Sequence, residues 1–185
     1  MQAAVEKPER LFIGVPLSDE ARQAISRSLP KSLPGKPVSS DNWHFTLRFL
    51  GATKAEARER IVSILGSATC GAPFPIHFNE LGAFPRGNRA RILWLGIDEG
   101  GDRMIQLAAI AEAAARSVGF EAETKEFKPH LTLSRIDPPA SVSALIAGKP
   151  HFDAGMTVDS VVLYRSRLGG GAARYEEVVR IPLGR

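Results

Sequence analysis

One short pattern occurs twice in this chain, as His44-Phe45-Thr46-Leu47 and as His130-Leu131-Thr132-Leu133. Side chains of an extended strand alternate between its two faces, so each histidine shares a face with the threonine two positions later. Each copy therefore predicts a strand with an apolar back and a polar front. On this alternation the apolar back carries Trp43, Phe45, Leu47, Phe49, Leu131 and Leu133.

The polar front has the groups that acid-base chemistry needs. Imidazole titrates near pH 6.5, so two of them facing one substrate can supply one base and one acid at neutral pH. The two threonine hydroxyls can donate hydrogen bonds to oxygens held between them. A lone His-x-Thr on a strand is more often a structural pair, and it is the recurrence in matching contexts that favours a site.

The hydrophobic spacing predicts the same order of elements in both halves of the chain. In the first half we expect strands at residues 11–15, 44–50 and 76–81, a helix capped by Ser18, and a second helix opened by a Thr53-x-x-Glu56 capping box. In the second half we expect strands at 92–97, 130–136 and 151–157, a helix closed by Gly119, and a short helix from Pro138 to Ile146. Strands at 160–164 and 175–182 have no evident counterpart and should complete the sheets.

The two histidines thus occupy equivalent places in two βαβα units, which indicates an internal duplication. We expect one two-lobed domain over residues 1–185, with pseudo-repeats at about 10–84 and 90–157 and closing strands at 158–183. A pseudo-twofold arrangement would bring His44 and His130 to one shared cleft.

Composition narrows the classes of protein and of partner. A hydrophobic fraction of 44% with 24% charged residues is typical of a folded globular protein. The only cysteine, Cys70, has no disulfide partner, and neither a signal peptide nor a membrane span is evident, so we expect a soluble cytoplasmic monomer.

The net charge of +4 and the excess of arginine over lysine favour an anionic partner. Arginines cluster in two places, although solvated surface positions would explain them equally well. The clusters are Arg86, Arg89 and Arg91, and Arg165, Arg167 and Arg174. The run Gly169-Gly170-Gly171 lacks the Lys-Ser/Thr of a phosphate-binding loop and indicates a flexible turn.

The chain resembles the two-histidine phosphoesterase superfamily, and within it the RNA 2′,3′-cyclic phosphodiesterases, also called 2′-5′ RNA ligases. The resemblance rests on phrases in a fixed order along nearly the whole chain. They are RLFIGVP from Arg10, HFTLRFLG from His44, RILWLG from Arg91, FKPHLTLSR from Phe127, LYRS from Leu163 and ARYE from Ala173.

The resemblance implies a bilobal α+β fold, with antiparallel sheets lining a central cleft, helices outside, and no metal or cofactor. It implies that His44 donates a proton to the leaving ribose oxygen and that His130 activates water. Thr46 and Thr132 would hold the phosphate oxygens, and Arg135 would neutralise the phosphate. The implied partner is RNA ending in a 2′,3′-cyclic phosphate, the product a 2′-phosphate, and 2′-5′ ligation the reverse reaction.

One detail conflicts with simple alternation, which places Arg135 on the face opposite His130 and Thr132. Its role at the phosphate requires the strand to twist or end before it. Phe84 and Trp43 are aromatic candidates for stacking on a terminal base, with core packing the competing interpretation.

Three other functions stay open at this point. The same chemistry could act on small cyclic nucleotides, or the basic surface could bind RNA or nucleotides without turnover. A metal site has the weakest support, because His44 and His130 lack ligand-spaced partners. His77 and His151 have no threonine partner, so structural or exposed positions are expected for both.

Overall fold

The computed structural model describes residues 7–148, 150–167 and 173–184, so the glycine turn predicted at 169–171 lies outside the described residues. The strands are β1 Glu9–Pro16, β2 Lys36–Pro37, β3 His44–Thr53, β4 Phe74–Phe84, β5 Ala90–Glu99, β6 Leu131–Ala140, β7 Ala154–Val158, β8 Ser160–Arg167 and β9 Arg174–Pro182. The helices are α1 Asp19–Ser28, α2 Ala55–Ser67, α3 Gly101–Ser117 and α4 Ser143–Ala147. Within the part of the chain described, no helix is long and apolar enough to cross a membrane.

The two predicted helix caps have different outcomes. The Ser18 side chain accepts a hydrogen bond from the Ala21 amide at 3.2 Å and caps α1 as expected. The capping box at Thr53 is wrong, because Thr53 still belongs to β3 and is buried there. Its hydroxyl donates to the Gly51 carbonyl of its own strand, and Lys54 precedes α2 without a side-chain cap.

The fold is α+β, with antiparallel strands in the order β7-β4-β5-β6-β3-β1-β8-β9 and the short β2 on β6. The two strands that carry the repeated motif meet at the middle of this order, where Phe45 pairs with Leu131. From that point outward each half of the sheet has four strands, β3-β1-β8-β9 on one side and β6-β5-β4-β7 on the other. The sheet thus repeats the same layout on both sides of its centre.

The structure corrects two expectations about individual elements. The last two strands do have counterparts, because β8 and β9 lie beside β1 as β4 and β7 lie beside β5. Each half of the sheet therefore takes its outer strands from the opposite half of the chain, apart from β7. The short helix predicted through Ile146 is present as α4, but its predicted start is wrong, since Pro138 lies in β6 and α4 begins only at Ser143.

The helices cover one face of the sheet, which we call the helix face. There α3 packs on β3 and α1 packs near β7, and the central pair Phe45 and Phe78 stacks at 5.7 Å between ring centroids. The opposite face carries His44, His130 and a separate small cluster around Phe12, and we call it the site face.

The two motif strands contain a β-bulge at the same place in the repeat. In β3, Thr46 pairs with Gly14 and Arg48 with Ile13, so Leu47 is the extra residue. In β6 the residues that pair with consecutive β5 positions are Thr132 and Ser134, so Leu133 is the extra residue. A bulge resets the alternation of side chains beyond it. The residues after each bulge consequently face the opposite way from what the sequence pattern predicts.

Candidate active site

The four motif side chains lie together on the site face. Antiparallel pairing of Phe45 with Leu131 directs those two side chains into the core, so the flanking residues of both strands face the other way. The same register sets Thr46 of one strand alongside His130 of the other. It also sets His44 alongside Thr132, so each histidine has a threonine on its own strand and another on its neighbour.

His44 is held by hydrogen bonds at both ring nitrogens. Its Nδ1 lies 2.8 Å from the Asn42 carbonyl, which can only accept, so Nδ1 carries the proton of the neutral ring. Nε2 is left to accept from the Thr46 hydroxyl at 3.0 Å. The ring packs 4.6 Å from Phe12 and meets the edge of Tyr175 at 5.0 Å, between centroids.

His130 repeats the backbone bond and lacks the second one. Its Nδ1 donates to the Lys128 carbonyl at 2.7 Å, again two residues before the histidine. Within the described residues its Nε2 has no hydrogen-bond partner, so the lone pair of the neutral ring is available to a ligand. The aromatic wall beside it is formed by Phe84 and Trp94, at 5.1 and 6.3 Å between centroids.

Both imidazoles are neutral in the unliganded protein at pH 7. The pKa of His44 is lowered to about 4, mainly by burial and to a lesser extent by the charges of Arg135, His130 and Arg22, while the bond to the Asn42 carbonyl acts in the opposite direction. Burial also lowers the pKa of His130, with a smaller contribution from the Lys128 charge. An anionic ligand between the rings would favour the protonated form of either one.

Arg135 lies on the site face, and the bulge explains how. Leu133 and Ser134 are both fully buried on the helix face, and alternation restarts with Arg135, which is exposed. The strand therefore turns Arg135 back to the side of His130 by adding one residue, rather than by ending. Its charge acts on His44 across the central strand pair.

The equivalent position on β3 is Phe49, five residues after His44 as Arg135 is five after His130. Its prediction as part of the apolar back is wrong. The bulge at Leu47 puts Phe49 on the site face, where its ring is 60% exposed and lies 5.9 Å from Phe12. The equal spacing of Phe49 and Arg135 from the two histidines could have indicated that they lie on the same face of the sheet. The bulge that puts them there cannot be recognised in the sequence.

The remaining aromatic and histidine candidates lie elsewhere or act as packing. Trp43 is buried in the main core and donates its indole proton to the Val38 carbonyl at 3.1 Å. Phe84 is half-buried against His130. His77 pairs with Asp98 at an exposed position away from the site, and His151 is exposed.

Three of the six clustered arginines form ion pairs. Arg165 binds Glu9 at 2.5 Å, and Arg167 binds Glu176 at 2.6 Å. Arg91 lies 3.8 Å from Asp137, and both side chains are exposed. Sequence reasoning missed two other residues near His44, Arg22 of α1 and Tyr164 of β8, because distant parts of the chain bring them there.

Tyr164 forms an aromatic wall beside His44 together with Phe12 and Tyr175. Its ring stacks on Phe12 at 4.9 Å, and burial, followed by the nearby charge of Glu177, raises its pKa to about 12. The phenol is therefore neutral at physiological pH, and its ring packs beside His44. Among the residues described, no group of three or more His, Cys, Asp or Glu side chains is placed to hold a metal ion.

Comparison with known proteins identifies the family of this chain. The model of the 2′-5′ RNA ligase superfamily matches residues 15–170. An RNA 2′,3′-cyclic phosphodiesterase of Escherichia coli is 31% identical over 179 residues, which cover 95% of this chain and 97% of that protein. One from Archaeoglobus fulgidus is 37% identical over 131 residues, covering 69% of this chain and 72% of that protein.

Solved structures show the same architecture. Crystal structures of E. coli LigT superpose with TM-scores of 0.79 for the apo form and 0.78 for the complex with 3′-AMP. They are 30% and 29% identical, and each alignment covers 97% of this chain and 100% of the other. With matching sequence and fold, this chain belongs to the 2′-5′ RNA ligase superfamily, alongside the RNA 2′,3′-cyclic phosphodiesterases that it is similar to.

Proposed function

We propose that this chain hydrolyses the 2′,3′-cyclic phosphate at the 3′ end of RNA to a terminal 2′-phosphate, with His44 as the acid and His130 as the base. The observation that carries the proposal is the pair of imidazoles on one face, each with Nδ1 tied to a backbone carbonyl. That bond directs Nε2 of both rings away from the backbone, where one phosphate can lie between them. The relatives' activity supports the same reaction.

Each step follows from the protonation of the rings. The free Nε2 of His130 takes a proton from water, whose oxygen attacks phosphorus in line with the bond to the ribose O3′. That bond breaks with its electron pair on O3′, which receives the proton of His44 Nε2. The product keeps its phosphate on O2′, and solvent returns the proton from His130 to His44.

The acid must gain its proton when the substrate binds, because His44 is neutral in the free protein. A cyclic phosphate monoanion beside Nε2 raises the pKa of His44 and replaces the bond from the Thr46 hydroxyl. A ring whose pKa is otherwise about 4 is a strong proton donor once charged. The free lone pair and the smaller shift make His130 the better base.

The phosphate oxygens are contacted by the neutral and charged donors of the site face. The hydroxyls of Thr46 and Thr132 donate from the two motif strands. Arg135 adds a guanidinium that has no acidic partner among the described residues. Donors of this kind stabilise the charge that develops on the non-bridging oxygens as the bonds exchange.

The nucleoside side of the substrate is assigned to β3 and β1. The exposed ring of Phe49 offers a stacking surface for the terminal base. One row further along β1 is Arg10, which is exposed and shares the face of Phe12, because Leu11 between them is in the main core. A cation there is placed to bind the next phosphate of an oligonucleotide, which favours RNA over a mononucleotide.

The same site can also use an alcohol as the nucleophile. When a 5′-hydroxyl takes the place of water, the attack joins it to the phosphate on O2′ and gives a 2′-5′ linkage. Hydrolysis dominates because water is in large excess. We infer one two-lobed domain acting as a monomer, with the two sequence units related by duplication.

The experiment uses a short RNA ending in a 2′,3′-cyclic phosphate, incubated with the protein in EDTA, with the product's phosphate located by NMR. A 2′-phosphate, absent with His44→Ala and with His130→Ala, supports the proposal. Tight binding without turnover would instead make the protein an RNA-binding module. Turnover of 2′,3′-cyclic mononucleotides alone would keep the chemistry and change the substrate.

A further inference from the structure

The residues that follow the two bulged leucines hold parts of the chain far from their own strands. Arg48 and Ser134 each stand four positions after a motif histidine and lie on the helix face. Neither touches its own histidine. Apart from a bond from Arg48 to the Phe49 carbonyl of its own strand, their hydrogen bonds run to the two segments that lead into the motif strands, at residues 34–42 and 121–129.

Ser134 holds the segment that precedes the other motif. Its buried hydroxyl donates to the Pro34 carbonyl. The neighbouring Leu133 carbonyl accepts from the Val38 amide at 2.8 Å, and β2 pairs with β6 alongside. Residues 34–42, which end just before His44, are thus tied to the strand that follows His130.

Arg48 does the same in the opposite direction. Its guanidinium donates to the Glu121 carbonyl at 2.5 Å and touches the Glu112 carboxylate of α3, while only 11% of the side chain is exposed. Glu112 also accepts from the Glu123 amide at 3.1 Å. Residues 121–129 contain no helix or strand, so these contacts hold a segment that lacks the regular backbone hydrogen bonds of secondary structure.

Each segment ends in the carbonyl that orients a catalytic ring. The Asn42 carbonyl accepts from Nδ1 of His44, and the Lys128 carbonyl accepts from Nδ1 of His130. The support of the two rings is therefore crossed. The strand of His44 anchors the segment that orients His130, and the strand of His130 anchors the segment that orients His44.

We propose that Arg48 and Ser134 are reciprocal positioning residues, with Arg48 setting the ring of His130 and Ser134 setting the ring of His44. The inference rests on the proposed function for the roles of the two rings. Its consequence is that neither histidine can be reoriented without a change in the strand of the other. A substitution should therefore act across the centre of the sheet rather than along its own strand.

The test compares Arg48→Met and Ser134→Ala in the unliganded protein labelled with ¹⁵N-histidine. NMR of the ring nitrogens reports the tautomer and titration of each imidazole. Arg48→Met should shift the His130 resonances and leave those of His44 unchanged, and Ser134→Ala should do the converse. In kinetics with cyclic-phosphate RNA, Arg48→Met should lower kcat about tenfold with KM within about twofold, because the ring is misplaced while the binding surface stays.

Two further variants separate positioning from charge and from general stability. Arg48→Lys keeps the charge but cannot reach both the Glu112 carboxylate and the Glu121 carbonyl, so it should shift the His130 resonances as Arg48→Met does. Arg103→Met is the matched control, because Arg103 donates to the carbonyls of Cys70 and Ala72 at 3.2 and 3.1 Å. It should move neither ring.

Shifts confined to the ring on the mutated strand, equal shifts in both rings, or none at all would overturn the proposal. The NMR measurement needs no turnover. An inactive protein with crossed ring shifts would refute the phosphodiesterase assignment alone, and an active protein without them would refute the reciprocal anchoring alone.

Discussion

The two halves of the site share a backbone arrangement and differ in the side chains around it. Both histidines donate Nδ1 to the carbonyl two residues before, and both strands bulge three residues after. Beyond the bulge, one half presents the ring of Phe49 and the other the guanidinium of Arg135. A repeated scaffold thus gives one site two unlike ends, one suited to a base and one to a phosphate.

The largest effect should come from removing either imidazole, and a change of leaving group should separate the two. On cyclic-phosphate RNA we expect His44→Ala and His130→Ala each to lower kcat by about 10²- to 10⁴-fold. On a nucleoside p-nitrophenyl phosphate, whose leaving group needs no acid, His44→Ala should recover most of its activity and His130→Ala should not. Initial rates of both variants on both substrates provide the measurement.

His77→Ala is the control, since His77 is paired with Asp98 away from the site and its loss should leave the rate unchanged. Equal recovery of both site variants on the activated ester would show that the two rings do not have divided roles.

Arg135 should matter next, through the charge that develops on the phosphate. Arg135→Gln should lower kcat by about 10²- to 10³-fold, because one aimed donor to the transferring group is lost. Arg91→Gln, on an exposed arginine paired with Asp137, should change the rate little. Steady-state kinetics of the two variants compare them directly, and similar rates for both would remove Arg135 from the phosphate site.

Phe49 lies at the opposite end of the site from Arg135, and its replacement should weaken substrate binding. Phe49→Ala should raise KM about tenfold for RNA with an intact terminal base, because a stacked base contributes about 1–3 kcal/mol. With an abasic terminal nucleotide the variant and the parent should give the same KM. Ile105→Ala removes another large exposed hydrophobic side chain, on α3, and should have no effect. An equal KM increase on the abasic substrate would contradict stacking.

The lowered pKa of His44 should make stability depend on pH. Below about pH 6.5 the histidine of the unfolded chain takes a proton, whereas the folded ring stays neutral down to a pKa of about 4. The unfolded state then binds more protons, so stability is lost as pH falls from 6.5 towards 4, and the loss reaches about 2 kcal/mol at pH 5. Urea unfolding at pH 7.5 and pH 5 should show this loss reduced in His44→Gln. A loss of the same size in the variant would assign it to other groups.

The smallest effect is expected at Arg10, which distinguishes an oligonucleotide from its last nucleotide. Arg10→Gln should lower kcat/KM about threefold for an oligonucleotide and leave a 2′,3′-cyclic mononucleotide unaffected. Losing one contact to a single strand should also reduce the salt slope of binding by about 0.7. Arg60→Gln, exposed on α2, is the control. Equal losses on both substrates would place Arg10 at the reacting nucleotide instead.

The sequence revealed the site's core because its information is local. The spacing of His44 and Thr46, repeated at His130 and Thr132, is legible from a period-two pattern on a strand. Simple alternation puts both Phe49 and Arg135 on the wrong face of their strands. The cause is the same in both, because a bulge adds one residue to the strand and leaves no mark in the composition. No residue type at Leu47 or Leu133 marks it.

The exchange of outer strands between the two halves could not be predicted from the sequence, for a different reason. Strand order in a sheet depends on packing between segments far apart in the chain, and the pattern within β4 or β8 is the same wherever it pairs. The crossed contacts of Arg48 and Ser134 are equally non-local. The sequence pattern here predicts which side chains share a face of each strand. It does not predict which strands are neighbours in the sheet.

The place of β8 and β9 beside β1 has a consequence for how the protein is made. During synthesis the N-terminal strands leave the ribosome first, yet the free edge of β1 is covered only when the last strands have been translated. The wall of His44 depends on the same late event, because Tyr164 and Tyr175 belong to those strands. The His44 end of the site is therefore finished last, and a nascent chain that holds both histidine motifs still lacks the aromatic wall beside that ring.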